Sequence, residues 1–307
     1  MSFSALISKM ITFIALMLVG YVGARRKVLD KGFARSLSSL VMNVFLSCAV
    51  LNSVIGERPE LTGAHLAHVL FVLSVMVVLA YVLAAIAVRV LGMHDENAPI
   101  YELLISVMNT MFIGLPIIQS IYSPTAVLYC ALGCIPFNVL LYSYGVWRLK
   151  SGKNLGGGLR LKDALSVPLI ATFIALIIFA FDIKLPGFVC DLIGTTSNAT
   201  MPMSMIVIGA TLGNVKLTDA FREKRVYLLC LLRLVVLPAI TLFVLRMLTD
   251  DAELLASCVI MAACPSAVVV TVLALQYDYD STFTSKGVLA TTVLSMVTLP
   301  MWAYILG

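Results

Sequence analysis

The sequence predicts an all-α polytopic membrane protein of ten transmembrane helices, arranged as two inverted five-helix repeats. Hydrophobic residues make up 61% of its 307 residues, and charged residues only 12%. The charged residues cluster between long apolar runs, a distribution typical of chains embedded in a bilayer. Two of the apolar runs, about 150 residues apart, each contain a proline near the centre. Together these observations predict a helical membrane protein with internal symmetry.

A membrane helix needs about 20 predominantly apolar residues, and ten segments of the chain meet this requirement. They are residues 5–24, 34–55, 65–91, 98–121, 124–147, 164–182, 188–213, 222–247, 253–276 and 283–306. The first segment ends in Arg25-Arg26-Lys27, whereas a secretory signal carries its basic residues before the apolar run. We therefore interpret the first segment as a membrane span and not as a cleaved leader.

The basic residues predict the orientation of these spans. If the loop containing Arg25 is cytoplasmic, sixteen Lys and Arg residues fall inside and four outside. The inside group is Arg25, Arg26, Lys27, Lys31, Arg35, Arg89, Arg148, Lys150, Lys153, Arg160, Lys162, Lys216, Arg222, Lys224, Arg225 and Lys286, and the outside group is Lys9, Arg58, Lys184 and Arg246. This asymmetry predicts an inner or plasma membrane protein with both termini outside. It also explains the net charge of +5 without a nucleic-acid partner.

The longest polar interval divides the chain into two halves. It contains the flexible run Gly156-Gly157-Gly158. We expect a first five-helix repeat at 1–150, a cytoplasmic linker at 151–163 and a second repeat at 164–307. Because five is odd, the second half must begin on the opposite side of the membrane from the first. Any repeat between the halves is therefore inverted.

The fourth and ninth segments carry the central interruptions. Asn109 is followed by Gly114 and Pro116 in the fourth segment, and Pro265 precedes Ser266 in the ninth. A proline has no N–H and clashes with the preceding helical turn, so we expect each helix to break there and to resume with the proline at its first position. In a bilayer such breaks are tolerated only where protein covers them or where they line a wet cavity. The pair predicts a binding site of a secondary transporter.

Several short motifs accompany these interruptions along the whole chain. They are Asn109 to Pro116, Phe137-Asn138, Tyr144-Gly145, Pro202 with Gly209-Ala210-Thr211-Leu212, Arg233 to Pro238, Pro265-Ser266-Ala267 with Ala274 to Tyr277, and Thr291 to Pro300. In this order the chain resembles the bacterial-type members of the auxin efflux carrier family, within the wider bile-acid/sodium symporter-like superfamily. The resemblance implies a scaffold of spans one, two, six and seven, and a core of the other spans in which the two broken helices cross. It also implies transport of organic anions such as auxins, malate or malonate.

The candidate substrate-binding residues lie in or near the two interruptions. They are Asn109, Gly114, Pro116, Asn138, Pro265, Ser266 and Ala267. The Asn109 amide offers two donors and one acceptor, and it either contacts a ligand or caps the broken backbone. Ser266 is either a ligand or an ordinary residue of a helix N-terminus. Half-helix N-termini present donors and half-helix C-termini present carbonyls, so helix dipoles alone do not distinguish an anion from a cation.

Two charged residues are candidates for gating or charge recognition. Arg233 is the basic residue that lies deep within a span, and such a residue is a functional hypothesis by default. It either faces the core, where it could attract a carboxylate or pair with Glu102, or it snorkels towards the cytoplasm. Glu102 lies about two turns before Asn109, and we interpret it as a charge at the end of a loop.

The sequence also indicates what this protein lacks. No catalytic constellation is evident, so we do not expect an enzyme, and we expect no cofactor. The seven cysteines form no C-x-x-C pair, and His65 and His68 have no third ligand, so no metal site is predicted. The alternative function is a sodium- or proton-coupled carboxylate or bile-acid-like carrier on the same fold; a membrane receptor is disfavoured by the paired interruptions. The oligomeric state is open, with a homodimer as one alternative.

The charge asymmetry generates a test of topology. We expect Ser2→Cys to react with an impermeant thiol reagent in intact cells, because the N-terminus is predicted outside. Ser151→Cys should react only after the membrane is permeabilised. The opposite pattern, with Ser2→Cys protected and Ser151→Cys labelled in intact cells, would show that the orientation is reversed.

Overall fold

A computed structural model describes residues 3–29, 31–55, 63–93, 95–153, 167–213 and 223–306. Within these ranges the regular structure is helical, apart from one isolated β-bridge. The α-helices are α1 (Phe3–Arg25), α2 (Lys31–Leu40), α3 (Leu46–Ile55), α4 (Gly63–Val90), α5 (Ala98–Ser106), α6 (Leu115–Ile121), α7 (Pro124–Leu140), α8 (Val146–Gly152), α9 (Val167–Ala180), α10 (Gly187–Asn198), α11 (Thr200–Gly213), α12 (Lys224–Leu231), α13 (Leu237–Leu245), α14 (Ala252–Ala263), α15 (Val269–Gln276) and α16 (Ser281–Leu306). Most of the predicted linker, from residue 154 to residue 163, lies outside the described residues.

Five continuous helical stretches are long and apolar enough to cross a membrane. They are Ser36–Ile55, Gly63–Val90, Pro124–Gly152, Lys224–Leu245 and Ser281–Leu306. Shorter apolar helices are Ile11–Arg25, Thr110–Ile121, Val167–Ala180 and Ala252–Ala263. The all-α class is therefore confirmed for the described ranges, and the apolar helices are consistent with a membrane protein. The ten-span inverted repeat stays a prediction, because the remaining segments are shorter or interrupted.

One group of helices is held together by close backbone contact. A Cβ atom at Gly20 would overlap the carbonyl oxygen of Ile206, and a Cβ at Gly209 would overlap that of Met17. The two glycines therefore let α1 and α11 approach until their backbones touch. Beside this pair, α3 packs against both α9 and α10. Gly209 thus serves packing within the chain.

The other group contains α4, α5, α7 and α12 to α16. Within it α4 packs on α5 and α7, and α14 packs on α7, α13 and α16. At one end of this group, Arg225 donates to Asp95 Oδ2 at 2.7 Å. At the other end, Tyr129 donates to Asp251 Oδ2 at 2.9 Å. Polar contacts therefore join segments that are distant in sequence at both ends of this group.

In the part of the chain that the structure describes, four π turns interrupt the helices. They are Val41–Phe45, Thr110–Gly114, Leu141–Gly145 and Leu232–Val236. Two of them end directly before a Leu-Pro pair, Leu115-Pro116 and Leu237-Pro238. A π turn accommodates an extra residue and widens the helix, which relieves the clash between a proline ring and the preceding carbonyl. The prolines therefore shape these helices without ending them.

Candidate functional site

The two interrupted helices meet and pair through their backbones. The first break, residues 107–109, lies between α5 and the π turn Thr110–Gly114, and the second break, residues 264–268, lies between α14 and α15. Asn109 N donates to Pro265 O at 2.8 Å, and Ala267 N donates to Val107 O at 3.0 Å. These bonds form the antiparallel bridge between Met108 and Ser266. We call the paired breaks the crossing; four half-helix ends meet there.

The first break does not lie where the sequence predicted it. We expected it at Gly114 to Pro116, with Pro116 opening the resumed helix. Instead the extended segment is Val107 to Asn109, and Pro116 lies in the first turn of α6. The π turn lets helical structure run up to the proline, and Ile113 N and Gly114 N both donate to Asn109 O. The first break therefore lies one π turn earlier in the chain, where the second break supplies its hydrogen bonds.

Pro265 also differs from its predicted place. We expected it at the first position of a resumed helix, but it lies within the second break, and α15 begins only at Val269. The residue before a proline avoids helical backbone angles, and Cys264 has φ −60° and ψ 148°. Pro265 thus ends α14, and its carbonyl then accepts from Asn109 N.

Ser266 is committed to the backbone of the crossing. Its hydroxyl donates to Leu104 O at 2.6 Å, and its own N–H donates to Thr291 Oγ1 at 3.2 Å. The side chain is fully buried. Since the hydroxyl proton is already donated to a carbonyl, Ser266 supports the geometry of the crossing and is a poor donor to a ligand. Ala267 contributes its backbone N–H to the bridge.

Asn109 keeps its side-chain amide uncommitted. It is 9% exposed. Its side chain makes no capping hydrogen bond at the π turn that it precedes, nor any other with the described residues. The alternative that Asn109 caps the broken backbone through its amide is therefore wrong, because its main-chain N–H and carbonyl make the local bonds instead. The amide retains two donors and one acceptor for a ligand.

Arg233 is fully buried beside the crossing. It lies in the π turn Leu232–Val236, which we call the Arg233 turn, and its exposed fraction is 0%. Within the described part of the chain, its three guanidinium nitrogens have no hydrogen-bond partner. The Arg233 turn packs against α14, the helix that ends at the second break. Snorkelling is therefore wrong for Arg233, and so is the pairing with Glu102.

Glu102 has other partners. It is 2% exposed; Tyr144 donates to its Oε1 at 2.6 Å, and Arg148 Nε donates to its Oε2 at 3.0 Å. The interpretation of Glu102 as a charge at the end of a loop is thus wrong. The sequence places it near the start of a helix, but only the packing of α5 against α8 buries it and supplies Arg148.

Two further candidate residues have different surroundings. A Cβ atom at Gly114 would lie 2.9 Å from Cys264 Sγ, so this glycine permits close approach to the second break. Asn138 lies half-buried in α7, and its side chain makes no hydrogen bond with the described residues. The structure brings Gly114 to the crossing, but no described hydrogen bond links Asn138 to it.

An apolar cleft lies between the two groups of helices, next to the crossing. It is lined by Phe13, Ile14, Met17, Ile113, Ile117, Met205, Ile208, Thr292, Ser295, Met296, Leu299 and Pro300. Ile113 follows Asn109 by one turn, and Thr292 follows Thr291, which accepts from Ser266 N. Sequence reasoning named Thr291 to Pro300 as a motif but did not assign these hydroxyl residues to the site. Their signal was present as Thr291, Thr292 and Ser295 at helical spacing within an apolar segment.

The histidines do not form a metal site in the described part of the chain. His65 Nε2 lies 3.1 Å from Tyr129 Oη and 3.5 Å from Asp251 Oδ2. No group of three or more potential metal-ligating side chains occurs among the described residues. His65 therefore belongs to the polar contacts at one end of the core helices.

Comparison with known proteins gives consistent similarities along the whole chain. A family model described as "Membrane transport protein" matches residues 5–154 and residues 150–303. The chain is 25% identical over 298 residues to an uncharacterized transporter of Methanothermobacter thermautotrophicus, covering 96% of this chain and 97% of that protein. It is 26% identical over 303 residues to an uncharacterized transporter of Methanocaldococcus jannaschii, covering 95% of this chain and 96% of that protein. It is 25% identical over 309 residues to the uncharacterized transporter YfdV of Escherichia coli K12 (97% and 97%).

The free amide of Asn109 generates a test of its role. We expect Asn109→Ala to lose ligand affinity with little change in thermal stability, because the backbone bonds of the crossing remain. A lost hydrogen bond of about 1–3 kcal/mol corresponds to a binding loss of about 5- to 150-fold. Binding is measured by ligand-induced thermal shift, with Asn52→Ala in α3 as the matched amide control. An Asn109→Ala protein that melts far below the parent and still binds with parental affinity would assign Asn109 a structural role.

Proposed function

Because the chain belongs to the membrane transport protein family, we propose that it is a secondary transporter that moves small organic anions by alternating access at the crossing. The family match confirms the resemblance to the auxin efflux carriers that the sequence motifs indicate. The substrates we propose are carboxylates, with malate, malonate and auxin-like acids as the first to test.

The observation that carries this proposal is the buried guanidinium of Arg233. Burying a charge without a partner is strongly unfavourable, so buried charges in proteins are normally paired. The described residues supply Arg233 with no carboxylate, whereas Glu102 is paired with Arg148. A carboxylate substrate would provide the missing negative charge and accept a bidentate hydrogen bond from the guanidinium. This asymmetry favours an anion over a cation as the transported ligand.

The other features of the crossing support the same substrate class. The amide of Asn109 can donate to a carboxylate oxygen, and the N-termini of two half-helices adjoin the crossing with their partial positive charge. The opposing half-helix C-termini present carbonyls, but these are partly committed, since Leu104 O accepts from Ser266. The crossing thus combines the Asn109 amide and two half-helix N-termini with one buried cation beside it.

The packing of the helices supports a moving core and a fixed scaffold. We infer that α1 to α3 and α9 to α11 belong to the scaffold and that α4 to α8 and α12 to α16 belong to the core. The touching glycines of α1 and α11 suit a rigid scaffold, and the apolar cleft separates it from the core. The two stretches matched by the family model meet at residues 150–154, which supports two five-span halves and ten spans. Alternating access would then move the crossing past the scaffold.

The second candidate is a sodium- or proton-coupled carrier on the same fold. The observation that favours it is Glu102, a carboxylate buried four residues before Ser106, where α5 ends at the crossing. Its charge is already compensated by Arg148 and Tyr144, so we favour uncoupled transport. We further propose a cell-membrane location with both termini outside, no enzymatic activity and no cofactor; a homodimer stays a prediction.

Removal of the Arg233 charge should separate function from stability. We expect Arg233→Gln to lose anion binding by about 10- to 150-fold, the worth of a charged hydrogen bond. The same substitution should raise the melting temperature of the ligand-free protein, because it relieves an unpaired buried charge. Binding and melting are both measured on purified protein.

The matched control is Arg246→Gln, which removes a charge from an exposed position at the end of α13. Arg246→Gln should change neither the anion affinity nor the melting temperature appreciably. A melting temperature that falls in Arg233→Gln, with anion affinity unchanged, would show that the charge has a partner within the protein and would contradict the proposal.

Transport should follow the membrane potential without sodium or a pH gradient. A monovalent anion that crosses 100 mV changes its free energy by about 2.3 kcal/mol, enough for a gradient of about 50-fold. The measurement is carboxylate flux in proteoliposomes whose potential is set by potassium and valinomycin. Flux that stops when choline replaces sodium, or flux that a pH gradient alone drives and Glu102→Gln abolishes, would favour the coupled carrier instead.

A further inference from the structure

The Arg233 turn leaves one buried carbonyl without its helical donor. In an α-helix, Leu234 O accepts from the N–H of residue 238, four positions later. Residue 238 is a proline and has no N–H. Leu234 is buried, and the next helix-type bond of this segment runs from Leu237 N to Leu232 O. The carbonyl that follows Arg233 in the turn therefore lacks its α-helical donor and can accept a hydrogen bond from another helix.

Trp302 supplies this donor. Its indole Nε1 donates to Leu234 O at 2.9 Å, from α16. The indole is buried and α16 packs against the Arg233 turn. On the same helix, a Cβ at Gly287 would lie 2.8 Å from Leu229 Cδ2 and 3.2 Å from Leu104 Cδ1, so α16 lies close to both α12 and α5. Trp302 thus connects the last helix to the backbone directly beside Arg233.

We propose that Trp302 is a positioning residue for the anion site: its bond to Leu234 O fixes the Arg233 turn so that the guanidinium stays directed at the crossing. This inference rests on the proposed function, because it treats Arg233 as the group that contacts the anion. Without the indole donor, the Leu234 carbonyl must find another partner, and the easiest change is a rearrangement of the π turn. Such a rearrangement rotates Arg233 around the helix axis, since the side-chain direction in a helix follows the backbone register.

The second tryptophan of the chain is a natural control. The sequence contains two, Trp147 and Trp302. Trp147 is exposed, packs against Tyr144 and makes no hydrogen bond with the described residues. Trp147→Phe and Trp302→Phe therefore remove the same N–H group while keeping an aromatic ring. Only the second removes a donor from a buried carbonyl.

Binding is measured by thermal shift and by equilibrium binding of whichever of malate, malonate and acetate stabilises the parent protein most. We expect Trp302→Phe to raise the apparent Kd by about tenfold, the effect of one unsatisfied buried group. In Trp302→Phe, the maximal transport rate in proteoliposomes should fall much less than the affinity. Trp147→Phe should have the parent's Kd and the parent's maximal rate. An unchanged Kd in Trp302→Phe would overturn the proposal.

A double-mutant comparison distinguishes positioning from simple packing. Arg233→Lys keeps the charge but loses the planar fork of donors, so it should bind more weakly than the parent. If Trp302 acts through Arg233, adding Trp302→Phe to Arg233→Lys should change the Kd by less than about twofold. If Trp302→Phe raises the Kd by the same factor in the parent and in Arg233→Lys, Trp302 acts independently of Arg233, which contradicts the proposal.

A spectroscopic measurement follows the contact directly. In Trp147→Phe, Trp302 is the sole tryptophan, and we expect the anion to change its emission with the same Kd as the thermal measurement. The change should be absent in the Trp147→Phe/Arg233→Gln protein. Binding by the thermal measurement without any change in emission would count against the proposal. The proposed function fails separately, if neither these three anions nor an auxin-like acid binds the parent, or if Arg233→Gln binds the anion as the parent does.

Discussion

The structure depends on how the two interrupted helices satisfy their backbones inside the membrane. Lipid offers no hydrogen-bond partners, so the exposed N–H and carbonyl groups of a broken helix must be bonded within the protein. Here each break serves as the partner of the other, through the bonds from Asn109 to Pro265 and from Ala267 to Val107. Ser266 and Thr291 then tie this bridge to α5 and α16. The extended segments therefore exist only as a pair.

Polar groups in the same region divide into those that hold the structure and those that remain uncommitted. Ser266, Glu102 and Trp302 all have defined partners in the described residues. Arg233 and the amide of Asn109 do not. Because an unpaired buried charge destabilises a fold, the retention of Arg233 beside the crossing favours a role other than stability. In the proposed function, a carboxylate anion would bind to Arg233 and to the amide of Asn109.

The prolines act mainly through their missing N–H groups. Pro265 ends α14, whereas Pro116 and Pro238 each follow a π turn. Pro238 has no N–H to donate to Leu234 O, and Trp302 donates to this carbonyl instead. Arg233 lies directly before Leu234 in the same π turn. The missing N–H of Pro238 thus accompanies both the π turn and the contact with α16, and in our proposal this contact also sets the direction of the Arg233 side chain. The sequence separation of Leu234 and Trp302 is 68 residues, so local reasoning could not connect them.

The sequence by itself determined the helical membrane class, the family and the segments that are interrupted, because apolar length, charge clusters and proline positions are local properties. It also indicated Asn109 and Arg233 as candidates, since polar residues are rare in apolar segments. It placed the first break several residues too late and made Pro265 the start of a resumed helix, because the π turn before Pro116 and the pairing of the breaks depend on contacts between segments about 150 residues apart. Only the tertiary structure decided that Glu102 pairs with Arg148, that the Ser266 hydroxyl donates to Leu104 O, and that Arg233 is buried with no hydrogen-bond partner among the described residues. The partners and burial of these side chains depend on which helices pack together, and that packing consists of contacts between distant parts of the chain.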